Sequence, residues 1–162
     1  MPERWFAARA DGYGWKPAGA KGWAAVLSAG FLLVANFGRL ALGARSIEEL
    51  FAVFLPETLA ILMAFFWLCL MTGEPLPALE GRLWFKAKRF GWGWTPATPE
   101  GWAVVILFLA GIMGSTIALV RFRPMPPSPA MVAEHLILAC VMSAALIGIC
   151  YKTGEKPGWR WG

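Results

Sequence analysis

Residues 84–106, WFKAKRFGWGWTPATPEGWAVVI, restate residues 5–27, WFAARADGYGWKPAGAKGWAAVL, with a constant offset of 79 and no gap. The segment from Thr72 to Glu74 recurs as Thr153 to Glu155, at an offset of 81. Identical pairs within the first match include Trp5/Trp84, Phe6/Phe85, Gly14/Gly93, Trp15/Trp94, Pro17/Pro96, Gly22/Gly101 and Trp23/Trp102. So many spaced matches are not expected by chance, and they predict two copies of one unit of about eighty residues.

The composition of the chain is not that of a soluble domain, because 58% of its 162 residues are hydrophobic and only 15% are charged. Each unit holds two apolar segments of about 20 residues, long enough as helices to cross about 30 Å of hydrocarbon. Within lipid, a helix is the form in which such a segment satisfies the hydrogen bonds of its own backbone N–H and C=O groups. The segments lack the polar face at helical spacing that a soluble helical core would need. The predicted spans are residues 23–42, 47–71, 102–121 and 129–151.

The predicted fold class is therefore all-α and integral to the membrane, with four transmembrane helices. The first repeat is predicted over residues 1–80 and the second over residues 81–162. Eleven Lys and Arg residues lie in the two terminal segments and the central loop, against four in the two short hairpin connections. The positive-inside rule then predicts a multi-pass inner-membrane protein whose N- and C-termini are both cytoplasmic. Two helices per unit make the repeats parallel, unlike the inverted repeats of many transporters.

Capping residues in the sequence indicate where the helices begin and end. Ser46, Thr98 and Ser128 are predicted N-caps of the second, third and fourth helices. Gly73 and Gly154 are predicted to end the second and fourth helices in the left-handed conformation that favours glycine.

The distribution of small and bulky residues predicts how the helices pack. Stripes of small residues at four-residue spacing favour close approach of the third and fourth helices. The predicted stripes are Ala110, Gly114 and Ala118 on the third helix, and Cys140, Ala144 and Gly148 on the fourth. The second helix is bulky between Phe65 and Leu68, and this face is expected to meet lipid or a partner protein.

Aromatic rings and cations alternate in the segments that flank the spans. This pattern suits the lipid headgroup zone, where rings lie in the interface and cations lie near anionic phosphates. Two interpretations are open: a belt that anchors the helices at a fixed depth, or a docking surface for a specific lipid or protein. No nucleic-acid partner is expected, since stacking on bases would require these rings to be free of the membrane. The predicted lipid-interface residues are Trp15, Trp23, Trp84, Lys88, Arg89, Trp92, Trp94, Trp102, Trp159 and Trp161.

The C-terminal tail KTGEKPGWRWG over residues 152–162 repeats the style of the GWGWTPAT run over residues 91–98. Together these motifs resemble those of small bacterial four-helix inner-membrane proteins that carry GWxP…GW and KTGE-x-P-x-W-R-W-G. The resemblance covers the flanking motifs alone. It implies the four-helix architecture, and no activity comes with it.

Polar groups inside apolar spans are costly and are therefore the first candidates for a site. Glu57 lies in the second span, and Glu134 and His135 lie near the start of the fourth. Asn36 and Arg39 lie at the outer end of the first span, within reach of these acids. Either these residues form ordinary ion pairs at the outer interface, or they line a vestibule that binds protons or cations.

The sequence contains no set of residues typical of an enzyme. One His and two acids are too few ligands for a metal, so neither a metal nor a cofactor is predicted. No phosphate loop, nucleophile elbow or HExxH motif occurs. The predicted function is a non-enzymatic interaction or accessory role, as a homo-oligomer or a subunit of a membrane complex. The alternative is a small transporter or channel for protons or cations that uses the outer carboxylates.

Overall fold

The computed structural model describes residues 4–10, 14–76, 81–122 and 126–161, and most of these residues are helical. The described part contains four helices that are long and apolar enough to cross a membrane, as the sequence predicts. They are α1 (Gly19–Gly43), α2 (Ile47–Thr72), α3 (Pro99–Phe122) and α4 (Pro129–Thr153). Three of the four helices begin or end a few residues beyond the apolar segments, because their first or last turns include flanking residues.

The predicted N-caps are confirmed. The Ser46 hydroxyl accepts a hydrogen bond from the Glu49 amide at 3.1 Å, and Ser128 accepts one from the Met131 amide at 3.4 Å. Thr98 acts in the same way at the start of α3. Each hydroxyl satisfies one of the amides that the first turn of a helix leaves without a partner.

The all-α prediction is incomplete, because short antiparallel strand pairs occupy the described flanking segments. These are β1 (Phe6–Ala8) with β2 (Trp15–Pro17), β3 (Phe85–Ala87) with β5 (Trp94–Pro96), and β4 (Phe90–Gly91) with β6 (Arg160–Trp161). The segments are rich in Gly and Pro and are too short for stable helices, so their backbone groups pair across hairpins instead. We name the β1–β2 hairpin the first cap and the β3–β5 hairpin the second cap.

The central helix of the bundle is α2, which packs against α1, α3 and α4. Of its apolar window 33% is buried, against 11% for α1 and for α3. The expectation that its bulky face meets lipid or a partner is wrong for Phe66, which packs against aromatic rings of the same chain. Phe66 lies between the two caps, 6.1 Å from the stacked ring of Trp84 and 5.8 Å from the edge of Trp15. Large rings are needed at this end of α2 because they fill the space between the hairpins.

The predicted stripes of small residues on α3 and α4 are confirmed only in part. Ala118 is buried, Gly114 lies against Pro56 and Gly148 lies against Trp67. The buried residues of α3 include Gly111, Ser115 and Ala118, while Ala110 is exposed. On α4 the buried row runs through Leu138, Met142, Ala145 and Ile149. The spacing of small residues identifies several candidate faces, and only contact with the neighbouring helices decides which one is buried.

Candidate functional site

Both caps are attached to the end of a helix by the same hydrogen bonds. In each, a cap amide donates to a carbonyl of the last helical turn, and the Glu that follows the helix donates its amide back to the cap. The pairs are Trp5 N to Thr72 O (3.0 Å), Trp84 N to Thr153 O (2.8 Å), Glu74 N to Phe6 O (2.9 Å) and Glu155 N to Phe85 O (3.0 Å). The caps thereby satisfy carbonyls that the ends of α2 and α4 leave open.

Glu74 and Glu155 also hold the caps through their other polar atoms. The Glu155 carboxylate accepts from the Ala87 amide at 3.0 Å, and the Glu155 carbonyl accepts from Trp94 Nε1 at 2.8 Å. Glu74 makes the same two bonds with Ala8 and Trp15, at 3.0 and 2.8 Å. Neither acid is among the predicted site residues. Their recurrence after each second span is the signal that could have identified them.

Gly73 and Gly154 end their helices, but not in the predicted left-handed conformation. Their φ angles are −88° and −114°, because each residue continues into a bridge with Phe6 or Phe85. Glycine is required here for space. A Cβ on Gly154 would lie 2.6 Å from the Cys150 carbonyl oxygen and 3.0 Å from Phe85 Cβ.

The ten predicted lipid-interface residues fall into three groups. Trp84 is only 6% exposed and belongs to the main core, so it cannot lie in an interface as predicted. Trp15 and Trp94 are half-buried and held by their bonds to the glutamate carbonyls. The other seven are exposed: Trp23, Lys88, Arg89, Trp92, Trp102, Trp159 and Trp161.

The exposed rings of the second cap lie on or beside the β4–β6 strand pair. Phe90 pairs with Trp161, which is 83% exposed, and Trp159 packs edge-on against Trp161 at 5.9 Å. Trp92 is exposed beside them, and its ring contacts the half-buried Trp94 at 5.4 Å. Lys88 and Arg89 border this surface, which we name the aromatic platform: Lys88, Arg89, Phe90, Trp92, Trp159 and Trp161.

Four of the five predicted polar residues meet at the opposite end of the bundle. Arg39 on α1 donates from Nη2 to Glu57 at 2.6 Å and from Nη1 to Glu134 at 2.8 Å. It also donates from Nη2 to the Asn36 side-chain oxygen at 3.2 Å. One guanidinium therefore joins α1, α2 and α4. Because the Arg39 side chain is half exposed, solvent weakens these ion pairs.

The fifth predicted residue, His135, lies next to two members of this cluster. It lines a cavity of 40 Å³ with Glu57, Glu134 and Ser115, between α2, α3 and α4. The volume suits about one water molecule. His135 Nδ1 is buried without a partner among the described residues. Within the same ranges, no three His, Cys, Asp or Glu side chains are grouped so as to hold a metal ion.

A much larger open groove of 880 Å³ lies along α2, between α1 and α4. Trp5 and Lys21 border one end, and the Arg39 cluster borders the other. The walls between the ends are apolar and include Ala25, Ala29, Leu32, Ala64, Ile137 and Val141.

No protein-family model matches the chain, and comparisons with curated proteins and with solved structures find no similar protein.

Proposed function

We propose that this chain is a polytopic bacterial inner-membrane protein with a non-enzymatic role, either self-associating or acting as an accessory subunit of a larger membrane complex. Its two helical hairpins are duplicated units that enter the membrane in the same direction, with both termini in the cytoplasm. The observation that carries the proposal is the pair of caps, attached by matching bonds at one end of the bundle.

Two features support the membrane placement. Large apolar side chains such as Phe31, Val34 and Met113 are more than half exposed along the helices, which water would disfavour and lipid would not. The caps and the Arg39 cluster lie at opposite ends of the helices. In the proposed orientation the Lys-rich and Arg-rich caps face the cytoplasm, in agreement with the positive-inside rule.

The caps support an interaction role because they are built as ordered elements. A simple anchoring belt needs only rings at the right depth. Here Trp159 and Trp161 lie at a strand pair that is joined to the second cap, and the cap is joined to α4. Rings on such a scaffold are held in fixed positions, which suits recognition of a partner surface. Lys88 and Arg89 add the charge that anionic headgroups attract.

The polar cluster gives less support to the alternative, a proton or cation conduit. Both carboxylates are bound to the Arg39 guanidinium, which offsets one of their two negative charges and occupies an oxygen of each that an ion would need. The groove that leads away from them is lined mainly by Ala, Leu and Ile, which offer no ligands to an ion.

Topology is tested by maleimide labelling of introduced cysteines in a Cys140→Ala background, in which the two remaining cysteines, Cys69 and Cys150, are buried. We expect Lys88→Cys and Lys156→Cys to react in inverted inner-membrane vesicles and to be protected in spheroplasts. Arg45→Cys, in the connection between α1 and α2, should show the reverse. Labelling of Lys88→Cys and Lys156→Cys from opposite sides would contradict the parallel hairpins.

The interaction role is tested by extraction into copolymer nanodiscs and measurement of the mass and composition of the particles. We expect a homo-oligomer or a heteromeric assembly that the double substitution Trp159→Ala/Trp161→Ala dissociates. Trp23→Ala, which removes a comparably exposed ring on α1, is the matched control. A monomer without partners, together with proton flux in proteoliposomes that Glu57→Gln abolishes, would favour the conduit instead.

A further inference from the structure

The large groove exists because α1 and α3 differ at corresponding positions. At the offset of 79, Leu32, Ala35, Asn36 and Arg39 of α1 correspond to Gly111, Gly114, Ser115 and Ala118 of α3. The α3 residues are small and pack against the central helix and α4. Gly114 lies so close to Pro56 that a Cβ there would be 3.1 Å from its ring, and Gly111 lies against Met142. The larger α1 residues instead line the groove.

The two sides of the bundle consequently enclose very different volumes. The cavity beside α3 measures 40 Å³, and the groove beside α1 measures 880 Å³. An apolar space of this size loses dispersion contacts along its whole lining unless something fills it. Within a bilayer, that occupant is either hydrocarbon or another apolar helix.

The dimensions of the groove favour a hydrocarbon chain. Lys21 and Arg39 border its two ends and lie 18 residues apart on α1, about 27 Å along the helix axis. A volume of 880 Å³ over that length gives a mean cross-section of about 33 Å². A helix with its side chains is about 10–12 Å wide, or roughly 80–110 Å² in section. An extended acyl chain fits inside a groove of this section along its whole length, whereas a transmembrane helix of a second copy could only rest against its open side.

Asn36 supplies a specific polar contact at the Arg39 end. The residue is 9% exposed and lines the groove. Its Oδ1 accepts from Arg39, whereas Nδ2 has no partner among the described residues. A buried donor without an acceptor costs about 1–3 kcal/mol, so an oxygen acceptor in the groove would be favoured.

The charge around Asn36 selects the kind of acceptor. Arg39 contributes one positive charge, and Glu57 and Glu134 contribute two negative charges when both are ionised. A phosphate or a free carboxylate would meet a net negative cluster, whereas an uncharged carbonyl would not. The ester carbonyl of a diacyl lipid combines this acceptor with a long hydrocarbon chain.

We propose that the groove binds one acyl chain of a glycerolipid, whose ester carbonyl accepts a hydrogen bond from Asn36 Nδ2. The proposal rests on the membrane placement argued above and does not depend on the accessory role. In the proposed orientation the lipid belongs to the outer leaflet, because Asn36 lies at the end of the bundle away from the caps.

The test compares two lipids that differ only in the proposed acceptor. The purified, delipidated protein is titrated in micelles with a diester phosphatidylcholine and with the diether analogue of the same chains and headgroup. Native mass spectrometry counts the retained lipids. We expect the diester to bind about tenfold more tightly, as loss of one hydrogen bond to a buried donor implies. Asn36→Leu, similar in size but without the donor, should reduce diester binding to the diether level.

A second variant tests the groove without touching Asn36. Ala29→Phe places a ring in the groove and should weaken binding of both lipids at least tenfold. Ala103→Phe, the same change at an exposed position on α3 outside the groove, should alter neither. The thermal midpoint of each variant is measured in parallel so that misfolded protein is recognised.

Three outcomes would overturn the proposal. Equal binding of diester and diether lipids by the wild-type protein would show that no carbonyl is recognised. Displacement of the diester by a prenylquinone at equal stoichiometry would identify a different ligand. A dimer that Ala29→Phe dissociates would make the groove an interface between copies. If labelling still places Lys88→Cys and Lys156→Cys on the same side, only the lipid inference fails and the membrane placement stands.

Discussion

Replacing Gly154 by Ala should detach the second cap from α4. The added Cβ would lie 2.6 Å from the Cys150 carbonyl oxygen and 3.0 Å from both Phe85 Cβ and Trp94 Cδ1. None of these neighbours is a flexible chain end, because Cys150 O is backbone and Phe85 is 2% exposed. The φ of Gly154 is −114°, which Ala adopts without strain, so the entire effect is steric.

The expected magnitude follows from two contributions. Overpacking in a filled core costs about 1–3 kcal/mol. Moving the hairpin away also breaks the 2.8 Å bond from Trp94 Nε1 to the Glu155 carbonyl, worth about 1 kcal/mol. The sum of about 2–4 kcal/mol corresponds to a fall of roughly 5–15 °C in the thermal midpoint for a chain of this size.

The assay is thermal unfolding in detergent, followed by tryptophan fluorescence. Gly158→Ala is the matched control, since this glycine lies four residues further along the same tail and nothing lies within 4 Å of its Cβ position. The control should move the midpoint by no more than about 2 °C. Gly73→Ala, against Trp15 at 2.6 Å, should reproduce the loss in the first cap. A midpoint for Gly154→Ala equal to that of Gly158→Ala would refute the proposed packing of the cap.

Two further substitutions probe the cluster and the centre of the bundle. Arg39→Leu should lower the free energy of unfolding by about 1–3 kcal/mol, because Glu57, 15% exposed, loses its closest cation. Adding Glu57→Gln to this variant should restore part of the loss. An unchanged thermal midpoint of Arg39→Leu would contradict the ion-pair geometry. Phe66→Ala should cost about 2–4 kcal/mol and reduce the near-ultraviolet circular dichroism of the tryptophans, since the ring contacts Trp15 and Trp84. Phe31→Ala, where the ring is 71% exposed, is its control and should cost less than about 0.5 kcal/mol. Equal losses for the two Phe variants would show that Phe66 does not hold the caps.

The helices and the N-caps of three of them could be predicted because their determinants are local. Apolar length alone decides whether a segment is able to span a membrane. A hydroxyl such as that of Ser46 needs only the amide three residues later. The members of the polar cluster could also be predicted, since charged groups inside apolar spans are rare and usually pair with one another.

The caps could not be predicted in the same way. The repeated Trp, Gly and Pro marked them as important, and their exposed position suggested a lipid boundary. Their hairpin form depends on Glu74 and Glu155, which lie 66 and 68 residues from the amides that their carboxylates accept. The predicted left-handed conformation of Gly73 and Gly154 fails for the same reason. Pairing with the distant caps imposes an extended backbone on both residues.

The sequence by itself determined four apolar helices, the N-caps of three of them and the repeated flanking motifs. The helices and caps are legible because each depends on residues within a few turns of one another. The tertiary structure decided how the helices are arranged and which of their faces are buried. It placed α2 at the centre of the bundle and buried Trp84 in the core. It also joined Arg39 to partners 18 and 95 residues away, and left an open groove beside α1 but not beside α3. The physical reason is that all faces of these helices are apolar, so hydrophobicity does not select a buried face; close packing between side chains of different helices does.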